Sequence, residues 1–161
     1  FAHDFPDRVQ SLTLIASTPK LAQMGSRIDA GVWRRILEER GTKAWLLSDS
    51  QKRFGPDVTP DVIEWYAEEG SKTAALDVLG LQQCLLAQDL TELLPNISAP
   101  TLILASASDE ITPPEIQRLM QDAMPNALLE FFDGVGHNMK VEIPDALAER
   151  TLAFFRDIDS R

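Results

Sequence analysis

The chain has 161 residues, 44% of them apolar and 25% charged, which is material for one globular domain and excludes both a multidomain assembly and wholesale disorder. Twenty-five acidic against fifteen basic side chains leave a formal charge of −10. Such a field repels phosphate backbones and anionic lipid, so neither a nucleic-acid nor a membrane partner is expected. No apolar run approaches the roughly 20 residues that span a bilayer, and the first residues lack a signal-peptide pattern. With a single cysteine, Cys84, and hence no intramolecular disulfide, a cytoplasmic protein is expected. Position 1 is Phe rather than Met, and the expectation is a chain cut from something longer.

Ser11-Leu12-Thr13-Leu14-Ile15-Ala16 is short, mostly apolar and rich in strand formers, and Ser17-Thr18-Pro19 stops it, which predicts a buried strand. From residue 20 to residue 94 the texture changes to amphipathic helical spacing with no strand pattern. Trp33, Ile36 and Leu37 mark one helix and Trp45, Leu46 and Leu47 a second. A third opens on Thr59-Pro60, as N-cap and first helical residue, and carries Val62, Ile63 and Tyr66. The fourth, over residues 73–88, contains Leu76, Leu79, Cys84 and Leu85, with Gly80 weakening its middle. Cys84 reads as a buried apolar residue of this helix. Trp33, Trp45, Trp65, Tyr66 and Met24 are expected to pack a core or to line an apolar pocket.

Thr101-Leu102-Ile103-Leu104-Ala105 follows Pro100, and Ala127-Leu128-Leu129-Glu130-Phe131-Phe132 follows Pro125-Asn126; both are predicted strands. Between them a helix is predicted from Thr112-Pro113-Pro114-Glu115, with Thr112 as N-cap, Glu115 closing a capping box, and Ile116, Leu119 and Met120 as the buried face. A last helix starts at Pro144, with Leu147, Thr151, Phe154 or Phe155, and Ile158 as its stripe. Strand, helix, strand, helix builds a parallel sheet with covering helices, so the fold class is α/β. Three units follow: a first strand and its approach in 1–19, a helical insertion in 20–94, and αβ units in 95–161.

Two residues carry the chemistry. His137 lies in Asp133-Gly134-Val135-Gly136-His137-Asn138, directly after a strand. Its ring therefore belongs to the carboxyl edge of the sheet, where reacting groups gather in open α/β folds. Flanking glycines permit unusual backbone angles and close approach. Asp109 follows the preceding strand in the same way, in Ala105-Ser106-Ala107-Ser108-Asp109-Glu110. Two parallel strands joined by one helix set these loops side by side, so Asp109 can meet His137 and fix its tautomer. The competing reading makes Asp109 or Glu110 a cap for the next helix, and His137 a solvated loop histidine. His3 reads as a surface or packing histidine.

The two motifs, with their surroundings, resemble the C-terminal half of the α/β-hydrolase family. Phe5-Pro6-Asp7-Arg8-Val9 and the strand after it look like the approach to that family's sixth strand. Leu93-Leu94-Pro95-Asn96-Ile97-Ser98-Ala99-Pro100 looks like the exit from its lid, and Val141-Glu142-Ile143-Pro144 like the start of its last helix. Leu81-Gln82-Gln83-Cys84-Leu85-Leu86-Ala87-Gln88-Asp89-Leu90 looks most like the enol-lactonase branch. The resemblance implies a partial α/β-hydrolase fold of about three parallel strands with an inserted helical lid. It makes Asp109 the triad acid and His137 the general base, with no cofactor and no metal.

The nucleophile of that triad belongs in a Gly-x-Ser-x-Gly elbow, and the 161 residues contain none. Ser17, Ser26, Ser48 and Ser50 lack the elbow, Ser106 and Ser108 belong to the acid loop, and Ser106 stands where family members often have Gly. Hydrolysis of a small ester or lactone by a protein that carries the elbow upstream is the first expectation. A non-catalytic truncated hydrolase is the alternative, self-associating as a homo-oligomer through the exposed strand 12–15 or through the lid.

Overall fold

The computed structural model describes residues 1–21 and 29–160; Met24 and Ser26 lie outside them. Three strands form one parallel sheet: β1 (Leu12–Ile15), β2 (Thr101–Ser106) and β3 (Ala127–Phe132), in that spatial order. Leu12 pairs with Thr101 and Thr101 with Ala127, so the three strands run in step toward one carboxyl edge. The α/β reading with three parallel strands is therefore what the chain adopts.

Strand β2 is central and buried along its whole length, which is why it reads as a continuous apolar run rather than an alternation. Leu102 and Leu104 face a cluster with Val135, Met139, Leu147 and Phe154, while Ile103 faces Leu94, Met120 and Met124 on the opposite side. Complete burial of each such side chain contributes about 1.5–3 kcal/mol. The covering helices are α5 (Pro114–Ala123) on one face and, after the one-turn α6 (Met139–Glu142), α7 (Pro144–Asp159) on the other. Phe154 completes the stripe of α7, and Phe155 is exposed.

Among the described residues, four α-helices lie between β1 and β2: α1 (Ala30–Ser48), α2 (Ser50–Arg53), α3 (Pro60–Ser71) and α4 (Ala75–Ala87). The two helices predicted around Trp33 and Trp45 are the halves of α1, broken at Gly41, whose φ of 78° and ψ of −179° are not helical. Helix α2 is too short to leave a periodic signal and was not expected.

Three sequence expectations are corrected here. Cys84 is exposed, not buried. On α4 it is Leu79 and Gln82 that turn inward, leaving Leu76 80% exposed. The capping box at the start of α5 does not form. Pro113 is the N-cap and no side chain caps the helix, because the Thr112 hydroxyl is engaged by Asp109 instead. At the start of α3 Thr59 is the N-cap with Pro60 behind it, as expected, and its side chain makes no cap bond. No described helix is long and apolar enough to cross a membrane.

Candidate active site

Asp109 and His137 stand on the loops that leave β2 and β3, and the parallel register brings those loops together. The His137 Nδ1 lies 2.8 Å from Asp109 Oδ2. Asp109 is 3% exposed, so the carboxylate needs its lone pairs filled from within the protein. They are. The backbone N–H groups of Ile111 and Thr112 donate to Oδ1 at 2.7 and 2.9 Å, and the Thr112 hydroxyl donates to Oδ2 at 2.7 Å. Burial alone would push this carboxyl up, but its bonds and charge attraction to His137, with the Thr112 donors, outweigh burial and hold it below the ordinary range.

Asp109 thus accepts at every bond it makes and stays ionised, which leaves the proton of a neutral imidazole on Nδ1 and the Nε2 lone pair free. The histidine side chain keeps 18% of its surface open, its partner 1%. One end of the pair is sealed and the other can meet a ligand.

The two loops are also tied to each other and to α2. Ser106 is fully buried; its hydroxyl donates to the Val135 carbonyl at 2.6 Å and accepts the Ser108 N–H at 3.0 Å. A serine where glycine was the family expectation therefore fastens the acid loop to the histidine loop. Both Ser106 atoms being used, it is not placed as a nucleophile. Gly136 meets the backbone of Arg53 and Phe54 so closely that an added Cβ would lie 2.6 Å from the Arg53 carbonyl oxygen. Glu142 clamps this contact from the side, accepting the N–H of Gly55 at 2.8 Å and that of Gly136 at 2.9 Å. The Asn138 N–H then donates to the Arg53 carbonyl at 2.8 Å.

Several of these residues left no readable sign in the sequence. Glu142 belongs to a stretch singled out only by resemblance, and Thr112 reads as a cap. Arg53 was not singled out in the sequence, yet it is buried, its guanidinium carbon 5.1 and 4.7 Å from the ring centroids of Trp33 and Trp45, which meet edge to face. His3 pairs with Asp4 near the surface, away from the site. The described residues contain no cluster of His, Cys, Asp and Glu able to hold a metal ion.

A family model described as alpha/beta hydrolase fold matches residues 1–144. The chain belongs to the α/β-hydrolase family. The protein named "Putative carbamate hydrolase RutD" of Azorhizobium caulinodans is 28% identical over 159 residues, a match covering 96% of this chain and 60% of that protein. The family fold recurs in the enol-lactonase from Burkholderia xenovorans, with a TM-score of 0.85 at 19% identity over 96% of this chain and 59% of the other. It recurs again in a thermophilic esterase from Thermogutta terrifontis, with a TM-score of 0.83 at 22% identity, covering 98% and 60% of the two chains. The chain thus spans about three-fifths of the length of these family members.

Proposed function

We propose that Asp109 and His137 are the acid and general base of a Ser-His-Asp triad that hydrolyses a small ester or lactone, with the nucleophilic serine on polypeptide outside these 161 residues. The observation that carries the reading is the sealed carboxylate at 2.8 Å from Nδ1 of a partly open imidazole. In that arrangement Nε2 takes the proton of a serine hydroxyl as its oxygen adds to the substrate carbonyl, and returns it to the departing alkoxide. Water then adds to the acyl group through the same base and releases the serine. The buried Asp109 stabilises the imidazolium in both halves. That the relatives include an enol-lactonase and an esterase by name supports the ester and lactone class.

The test is hydrolysis of short nitrophenyl esters and of a small lactone by the full-length polypeptide that contains this chain. His137→Ala lowers kcat by about 10⁴-fold or more, as removal of a triad base does. An unchanged rate rejects the assignment. Covalent labelling of the 161-residue chain alone by a serine-directed phosphonate would put the nucleophile inside it and overturn the second half of the proposal.

A second reading, a non-catalytic chain that self-associates, draws support from β1, which occupies an open edge of the sheet with Ile15 exposed. A monomer at high concentration by light scattering contradicts it.

A further inference from the structure

The backbone that carries His137 is tied down on both sides of it. The Gly136 N–H donates to Glu142 Oε1 at 2.9 Å, and the Asn138 N–H donates to the Arg53 carbonyl at 2.8 Å. Both ties lead to the end of α2, because the other oxygen of Glu142 accepts the Gly55 N–H at 2.8 Å. The two segments meet backbone to backbone. A Cβ on Gly136 would lie 2.6 Å from the Arg53 carbonyl oxygen, and one on Gly55 would lie 2.4 Å from the Gly134 carbonyl oxygen.

Two N–H donors, one from each segment, therefore end on a single side chain, and the residue type follows from the donor count. An ionised carboxylate offers two acceptor oxygens and no donor, whereas an amide of the same shape sets an NH2 against one of the two N–H groups. Bonds to a charged acceptor are also about twice as strong as neutral ones. Glu142 stands on the framework rather than on either segment. It closes the one-turn α6, whose first residue, Met139, is fully buried and packs with Leu102 and Leu104 of β2; Ile143, next in the chain, packs on the same cluster. The carboxylate thus carries the position of the sheet to the histidine loop. That position matters because the 2.8 Å bond from His137 Nδ1 to Asp109 Oδ2 would pass out of hydrogen-bonding range on a shift of about 1 Å.

We propose that Glu142 is a positioning residue for His137: by bridging the Gly136 and Gly55 N–H groups it registers the histidine loop against the end of α2 and keeps Nδ1 on Asp109. It acts through His137 alone. Its consequence for catalysis rests on the triad proposed above; its consequence for the imidazole does not.

The test is Glu142→Gln, which keeps the shape and turns one acceptor into a donor. In nitrogen-15 NMR of the 161-residue chain at about pH 9, the ratio of the Nδ1–H to the Nε2–H tautomer at His137 falls about tenfold, the worth of one hydrogen bond. An unchanged ratio overturns the proposal. Leu94→Ala, which removes apolar contact from the cluster on the opposite face of the sheet, is the comparison: it lowers Tm and leaves the ratio at the wild-type value. An equal fall in Leu94→Ala would make Glu142 a general stability residue and overturns the positioning role. Should Glu142→Gln not fold, Glu142→Asp keeps the charge but is one methylene too short to span both segments and must lower the same ratio; an unchanged ratio again rejects the proposal. In the polypeptide proposed to carry the serine, Glu142→Gln lowers kcat by about 10–100-fold with KM changed by less than about twofold. A raised KM at unchanged kcat would make Glu142 a substrate-binding residue and overturns the proposal. No turnover enters the NMR measurement, so a shifted tautomer ratio with both kcat and KM unchanged rejects the triad and supports the positioning role.

Discussion

Strand β2 and helix α4 are both short and apolar, and the structure treats them in opposite ways. All six residues of β2 are buried, and Leu102, Ile103 and Leu104 are inaccessible on both faces of the sheet. Helix α4 buries Leu79 and Gln82 and leaves Leu76, Leu81 and Leu85 exposed. The contrast separates a framework that fixes geometry from a helical region that leaves much of its apolar surface open. Asp109 and His137 stand on the framework, at strand ends that side chains cannot easily displace. Arg53 and its indoles stand in the helical region.

The largest expected effect lies on the framework side. In the polypeptide proposed to carry the serine, Asp109→Asn keeps the shape of the acid but reverses the hydrogen-bond logic, and kcat is expected to fall by about 10⁴-fold. A fall of only a few-fold would move the catalytic acid elsewhere. The packing contrast comes next. Ile103→Ala destabilises by about 2–5 kcal/mol, whereas Leu76→Ala changes stability by less than about 0.5 kcal/mol; denaturant melts of both variants read the difference. Equal losses would mean that α4 is covered by something in solution. Ser106→Ala leaves the Val135 carbonyl and the Ser108 N–H without their buried partner, a loss of about 1–3 kcal/mol in the same melts; a neutral result would remove the loop-to-loop fastening.

The smallest effect is a pH dependence. The carboxyl of Asp109 is held below its ordinary value in the folded chain, so its contribution to stability is complete above the unfolded value near 3.8 and disappears as pH falls through the lower folded one. Between those limits the wild type loses stability that Asp109→Asn does not have to lose. Parallel acid limbs for the two proteins contradict the depressed value.

Strand β2 was legible because burial on both faces leaves an apolar run behind Pro100, and the only partly buried β3 because a run of apolar residues follows Pro125-Asn126. Asp109 and His137 were legible for a related reason: each lies on the loop that directly follows such a strand. Cys84 was misread because helical spacing says that one face is buried without saying which, and the inward face of α4 proved to carry Gln82. Thr112 was misread because a local cap and a side-chain carboxylate compete for one hydroxyl, and the carboxylate, buried and charged, wins. Arg53 was not legible, since the two indoles it packs against come from an earlier helix and reach it only through tertiary packing.

The central claim is that buried Asp109 holds the proton on Nδ1 of His137 and leaves Nε2 open to act as the base. Nitrogen-15 NMR of the imidazole, recorded at about pH 9 where a histidine ring is neutral, reads the tautomer directly in the chain as it stands. The account predicts a protonated Nδ1 and an unprotonated Nε2 for His137, with that preference lost in Asp109→Asn. A dominant Nε2–H tautomer, or one indifferent to the Asp109 substitution, would contradict it.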